Sequence, residues 1–410
     1  MRLAFPLLAL ACGSPDGPGV GSPLSPVDTA PSGDTSEASL STAGTGDSSV
    51  ATGETAASPP VLSTTTPVLA VPPGGDQHHA TVALRPEGTA LVAYDDGPNL
   101  LAARVLGSSV QATRFTGDAN HGQVRATPDG WVLVGTLNGG VILAGTRLDP
   151  LGEPFEPAAF LSVSHARLPD LVTTEVGGLV VSTNLQTIKC LRFEHPLAVP
   201  LDFVDCPEMQ DTKAAIGTVT AADPPEGPVY AWTELHRDGS LDVFVATTGS
   251  SGLLPYHVDN LGWGEGMAGR PMLSVDQGRQ LLVWRGAPSK GAPVQSHLQG
   301  FLADGTPDTE RFTLGAGGET ERPALAGPHR DVVFVAWEEG EAIWLQLRDR
   351  LSLAPVGEPL RLDDGEEVPQ RPSIAVIEGA DGLEGVASWE LVPPAGAARS
   401  VRMRRFRADW

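Results

Sequence analysis

Three Arg-Pro pairs recur in the second half of the chain: Arg270-Pro271, Arg322-Pro323 and Arg371-Pro372. Arginine grips a carboxylate or phosphate through two parallel hydrogen bonds, so three at one repeated place could form an anion-binding site. Earlier in the chain His79, His121 and His165 hold comparable places. A structural reading stands beside this one: Arg-Pro recurs where a strand begins, and each guanidinium bonds a neighbouring carbonyl or acid. No His-x-x-x-His spacing with a partner carboxylate is present, so no metal site is expected, and adjacent His78-His79 reads as the solvated start of a strand. No Gly-x-Ser-x-Gly, phosphate loop or dinucleotide fingerprint occurs, and no cofactor and no catalytic residue is assigned. Asp95-Asp96-Gly97 and Asp363-Asp364-Gly365 read as turns first and as calcium ligands a distant second.

These residues can meet only if a repeating architecture brings them together, and the chain has one. A run of β-formers ending in an aromatic or Thr recurs at residues 91–94 (LVAY), 133–136 (LVGT), 180–183 (VVST), 229–232 (VYAW), 281–284 (LLVW), 334–337 (FVAW) and 386–389 (VASW). The end positions lie 42, 47, 49, 52, 53 and 52 residues apart. That period in an all-β sequence predicts a β-propeller of seven four-stranded blades. The third unit is the most divergent, and the fourth carries an insert at residues 223–227. Inner strands of a propeller line its central channel, so residues at one point of successive blades should ring one channel mouth. The seventh unit ends soon after its third strand, residues 400–406. Residues 67–71 (PVLAV) are expected to supply the missing outer strand, because an open seam would expose sheet edges.

The chain holds 50 Asp plus Glu against 27 Lys plus Arg, a formal charge of −23. That excess argues against nucleic acid and against charge-driven binding to anionic lipid. At the start, Arg2 precedes an apolar run, residues 3–11 (LAFPLLALA), and Cys12 follows. The run is too short to span a bilayer. Residues 9–12 (ALAC) resemble a bacterial lipobox, which implies cleavage after residue 11 and a lipid on Cys12. Residues 12–66 are rich in Ser, Thr, Gly and Pro with few bulky apolar side chains, and read as a disordered tether. The organisation (signal 1–11, tether 12–66, propeller 67–410) resembles surface lipoproteins of large-genome bacteria such as myxobacteria. It implies a cell-envelope protein held to the outer membrane or cell surface through its N-terminal lipid alone.

With Cys12 set aside, Cys190 and Cys206 remain as a pair, centred on Ala198 in a proline-flanked turn, and a cross-strand disulfide is expected. Arg399, Arg402, Arg404, Arg405 and Arg407 crowd the last strand and are expected to pair with acids on adjacent strands. Marks of WD repeats and of integrin-like calcium loops are missing, and residues 274–278 (SVDQG) read as a plain turn rather than a sialidase Asp-box. An arginine triad from separate blades is similar to that of sialidases, but a retaining glycosidase of that kind needs a Tyr nucleophile. Of Tyr94, Tyr230 and Tyr256, the first two lie in core strands. The expected function is a monomeric binding or scaffold module for protein or polysaccharide. A sialidase-like hydrolase and a structural subunit of an envelope assembly are the alternatives.

Overall fold

In each repeat the apolar run becomes the second of four strands: Ala90–Asp96, Gly130–Leu137, Gly177–Thr183, Val229–Leu235, Arg279–Gly286, Val332–Glu339 and Leu383–Val392. Continuous apolarity, rather than alternation, is what a strand covered on both faces requires. The computed structural model describes residues 59–410 apart from 72–74, 108, 118, 138–139, 141, 156–158, 164–166, 185, 195–201, 209, 211–213, 238, 250–251, 262–270, 288–291, 366, 380 and 394–396. The expected signal, Cys12 and the expected tether as far as residue 58 lie outside the described residues.

The inner strands are Gln77–Leu84, Ala119–Thr127, Arg167–Thr173, Ala215–Ala222, Met272–Asp276, Thr320–His329 and Val368–Glu378. Each begins a separate antiparallel sheet, blades 1 to 7, with strands in sequence order from the inside outward. Successive inner strands touch one another, and the seventh touches the first. The protein is therefore a closed seven-bladed β-propeller. Its core lies between blades. Val82 and Tyr94 of blade 1 pack with Val386 and Met403 of blade 7, and Leu179 and Cys190 of blade 3 pack with Trp232 of blade 4. Tyr94, Trp232, Trp284 and Trp389, which end the repeated run, are almost wholly buried. Each contributes at least about 1.5–3 kcal/mol of apolar burial.

Closure is by the N-terminal side of the fold, as expected, but with a longer strand pair. Leu69–Ala70 pairs with Ser400–Asp409 in the register Leu69↔Met403. Val61–Thr64 pairs with the same strand, Val61↔Asp409 through Thr64↔Phe406. The boundary at residue 66/67 thus falls too late. A Ser/Thr/Pro-rich composition hides a four-residue strand, VLST, whose Leu62 packs on the core between blades 6 and 7. Between the two pieces, Thr65 N–H donates to Arg405 O (3.0 Å) and Arg405 N–H to Thr66 Oγ1 (3.0 Å).

The arginines of the last strand do something other than expected. Arg404 donates to Thr66 O (2.9 Å) and to Leu362 O of blade 6 (3.0 Å). Arg405 donates to Gly88 O (2.6 Å) and Val105 O (3.2 Å) of blade 1. They staple the closing blade to both neighbours through carbonyls. Only Arg399, on Glu390, and Arg407, on Asp409, pair with acids among the described residues. The disulfide Cys190–Cys206 is present. Its register differs by two residues from a hairpin centred on Ala198, because Cys190 stands opposite Val204, whose N–H donates to Cys190 O (3.2 Å). Leu191 pairs with Phe203 in the same ladder, and Cys206 reaches back from beyond the outer strand.

Candidate functional site

Near its start the inner strand carries a bulge in six of the seven blades, as far as the described residues show. The register shifts at His78/Thr81, Asn120/Gln123, Arg167/Asp170, Ile216/Val219, Glu321/Ala324 and Gln370/Ser373. One residue in each of five of these bulges is left-handed: His79 (φ 53°), His121 (54°), Leu168 (44°), Arg322 (46°) and Arg371 (54°). Non-glycine residues rarely adopt this conformation, and a shared occurrence marks a built feature of the strand. His79, His121, Arg322 and Arg371 therefore do occupy one repeated place at one mouth of the channel. Arg270 and His165 lie outside the described residues. In blade 3 the left-handed residue of the bulge is Leu168.

A carboxylate directly after the repeated aromatic holds these bulges. Asp95 follows Tyr94, Glu338 follows Trp337 and Glu390 follows Trp389. Each accepts the bulge N–H of the next blade: His121 N–H to Asp95 Oδ2 (3.0 Å), Arg371 N–H to Glu338 Oε2 (3.3 Å) and His79 N–H to Glu390 Oε1 (2.7 Å). Each also meets the bulge side chain of its own blade: His79 Nδ1 on Asp95 Oδ2 (2.6 Å), Arg322 Nη1 on Glu338 Oε2 (3.1 Å) and Arg371 Nη1 on Glu390 Oε1 (3.2 Å). Between blades 5 and 6 the charges are exchanged, and Arg285 Nη1 meets Glu321 Oε2 at 2.5 Å. Asp95 is thus no turn residue. It is the buried end of a strand, and the turn begins at Gly97.

Burial sets the protonation of this girdle. It pushes Asp95 up to about 6, against the opposing bonds from the His121 and Gly122 amides. It pushes His79 down to about 3, with Arg371 beside it adding to the effect, so the imidazole is neutral at physiological pH. Glu338 is raised by burial and Arg322 opposes the rise. Arg322 also donates to Gln370 Oε1 of the next blade (2.9 Å). The guanidiniums of Arg322 and Arg371 are accordingly engaged by acids and amides rather than aimed together at one free anion.

Below the girdle lies a cavity of about 870 Å³. His79, His121, Arg322, Arg371 and Glu390 line its mouth. Its wall mixes small apolar side chains with polar ones such as Thr81, Gln123 and Ser373. The buried Asp170 is bound by Thr220 Oγ1 (2.5 Å) and by Arg125 Nη2 (3.3 Å). No tyrosine lines the cavity. Tyr94 and Tyr230 are buried core residues, and Tyr256 belongs to the outermost strand of blade 4.

No protein-family model and no curated protein matches the chain. Among solved structures, AofleA from Arthrobotrys oligospora is 13% identical, and a triple arginine-to-alanine mutant of it 12% identical. Each comparison covers 84% of this chain and 86% of the other at a TM-score of 0.45. A likeness of that strength carries no argument about the site.

Proposed function

We propose that this propeller is a binding module of the cell envelope, tethered by a lipid on Cys12, whose central cavity takes a polar polysaccharide segment. The observation that carries the reading is the cavity itself, about 870 Å³ and walled by hydrogen-bonding groups from several blades. Its mouth offers guanidinium, carboxylate, amide and imidazole side by side, with the charges already paired. Such a rim suits a neutral, hydroxyl-rich chain better than a free anion, which would have to displace Glu338 or Glu390. The tether joins at Val61, which pairs with Asp409 at the end of the closing strand remote from the mouth.

Two experiments separate the parts of this reading. Cys12→Ser should move the protein from the detergent phase to the aqueous phase without changing its melting temperature, and unchanged partitioning would refute the lipid anchor. The full chain should bind envelope polysaccharide fragments in calorimetry, and Gln123→Leu should weaken that binding at least about tenfold, through the loss of a hydrogen-bonding group from the cavity wall. No binding by the natural chain, or binding indifferent to Gln123, would overturn the cavity reading.

A scaffold role is favoured by a different observation. Leu106, Leu151, Phe155, Val176, Leu351 and Trp410 are all exposed. All six sit in or beside turns on the face opposite the mouth. The hydrolase alternative has no support at the cavity, where a retaining mechanism of the sialidase kind would need a tyrosine nucleophile.

A further inference from the structure

We infer that His78, His79 and Asp95 form a binding site for a divalent transition-metal cation at the rim of the channel. Three potential ligand atoms converge there. His78 Nδ1 lies 3.0 Å from His79 Nδ1, His79 Nδ1 lies 2.6 Å from Asp95 Oδ2, and His78 Nδ1 lies 3.6 Å from the same oxygen. A triangle with those sides has a circumradius of about 1.8 Å, which is shorter than a usual metal–ligand bond of about 2.0–2.1 Å. A cation can therefore sit at bonding distance from all three, about 0.9 Å off their plane, with its remaining positions on the outer side.

The backbone explains how neighbours in sequence can share one ion. Adjacent side chains of a regular strand point to opposite faces. His79 is the left-handed residue of its bulge (φ 53°), which breaks that alternation and brings its ring edge-on to that of His78 (centroids 4.7 Å). The expectation of a solvated histidine pair fails for this reason: both rings are only partly exposed, and both meet the buried Asp95 at the end of the next strand.

Surrounding groups hold the ligands in place, as an outer shell does in established metal sites. Asp95 is fixed by the His121 amide, and the His79 amide by Glu390. The His121 ring packs on His79 with centroids 4.1 Å apart. Asp95 Oδ1 is buried without a hydrogen-bond partner of ordinary geometry. A single proton between two nitrogens and an oxygen satisfies only one pair, whereas a cation satisfies all three. Two imidazoles and one carboxylate are a borderline donor set that suits Zn²⁺, Co²⁺ or Ni²⁺ better than Ca²⁺ or Mg²⁺.

The test uses the full chain without a histidine tag. Zn²⁺ should bind by equilibrium dialysis at one ion per chain and raise the melting temperature, and Co²⁺ should give visible ligand-field bands. His78→Ala and His79→Ala should each weaken binding more than about tenfold and abolish the thermal shift. Should His79→Ala fail to fold, His78→Ala alone decides, because His78 is not the left-handed residue of the bulge and takes no part in the Glu390 bond. His257→Ala is the control, since His236 and His257 flank Asp242 in blade 4 as a competing location. No saturable binding by the natural chain, unchanged binding in His78→Ala, or loss in His257→Ala instead would each overturn the proposal.

Discussion

At the scale of single residues, the carboxylates after the repeated aromatics join neighbouring blades. Glu390 is fully buried, yet it serves Arg371, Arg399 and the His79 amide at once. Glu390→Ala leaves that amide unpaired, while water can reach the two part-exposed guanidiniums. It should lower the unfolding free energy by about 1–3 kcal/mol in urea titration, and Glu390→Gln by less, because the amide oxygen still accepts. An alanine variant as stable as the natural chain would refute the tie. Glu338 gives a pH signature. Burial raises its pKa, Arg322 lowers it and Glu321 adds to the rise, with the Arg371 amide also bonded to it. Its contribution to stability is complete below its ordinary value of 4.5 and is lost as pH rises through the higher folded value. Glu338→Gln cannot ionise, so its stability relative to the natural chain should rise as the pH is raised above that ordinary value. A relative loss as the pH rises would show that the Arg322 pair outweighs burial.

At the scale of elements, the disulfide ties the third strand of blade 3 to the segment beyond its short fourth strand, Asp202–Phe203. Replacing both Cys190 and Cys206 by Ala should reduce stability by about 2–4 kcal/mol, read from thermal unfolding, because the outer strand contributes only two ladder positions of its own. The fold was legible in the sequence through one strand per blade. That strand is buried on both faces, so its composition is tightly constrained and its spacing survives divergence. The ring at the channel mouth was legible in part. Arg322, Arg371, His79 and His121 share their place because the inner strand needs the same bulge each time. What sequence pattern could not supply was the conformation of that bulge, since left-handed non-glycine residues leave no compositional mark. Hence composition does not reveal that Leu168 holds this place in blade 3, that His78 and His79 share a buried acid, or that Asp95 ends a strand ahead of the turn at Gly97. The signal that could have placed Asp95 was its position directly after Tyr94, matching Glu338 after Trp337 and Glu390 after Trp389.

At the scale of the whole molecule, the ring is closed by chain that precedes its first blade. A chain begun at residue 72 lacks Val61–Thr64, Leu69–Ala70 and the buried Val71. It should lose about 3 kcal/mol or more and unfold with reduced cooperativity, whereas a chain begun at residue 59 should match the natural fold in calorimetry. Equal melting of the two would mean that the seam adds little. The direction of the closing strand has a mechanical consequence. Val61 enters beside Asp409 and the chain runs antiparallel to its partner toward Met403. A pull on Val61 directed along the strand axis and opposed at the channel mouth therefore loads the ladder bonds together, in shear, instead of parting them one after another. The clasp that shuts the ring is oriented to resist a pull from the end at which a tether would hold it.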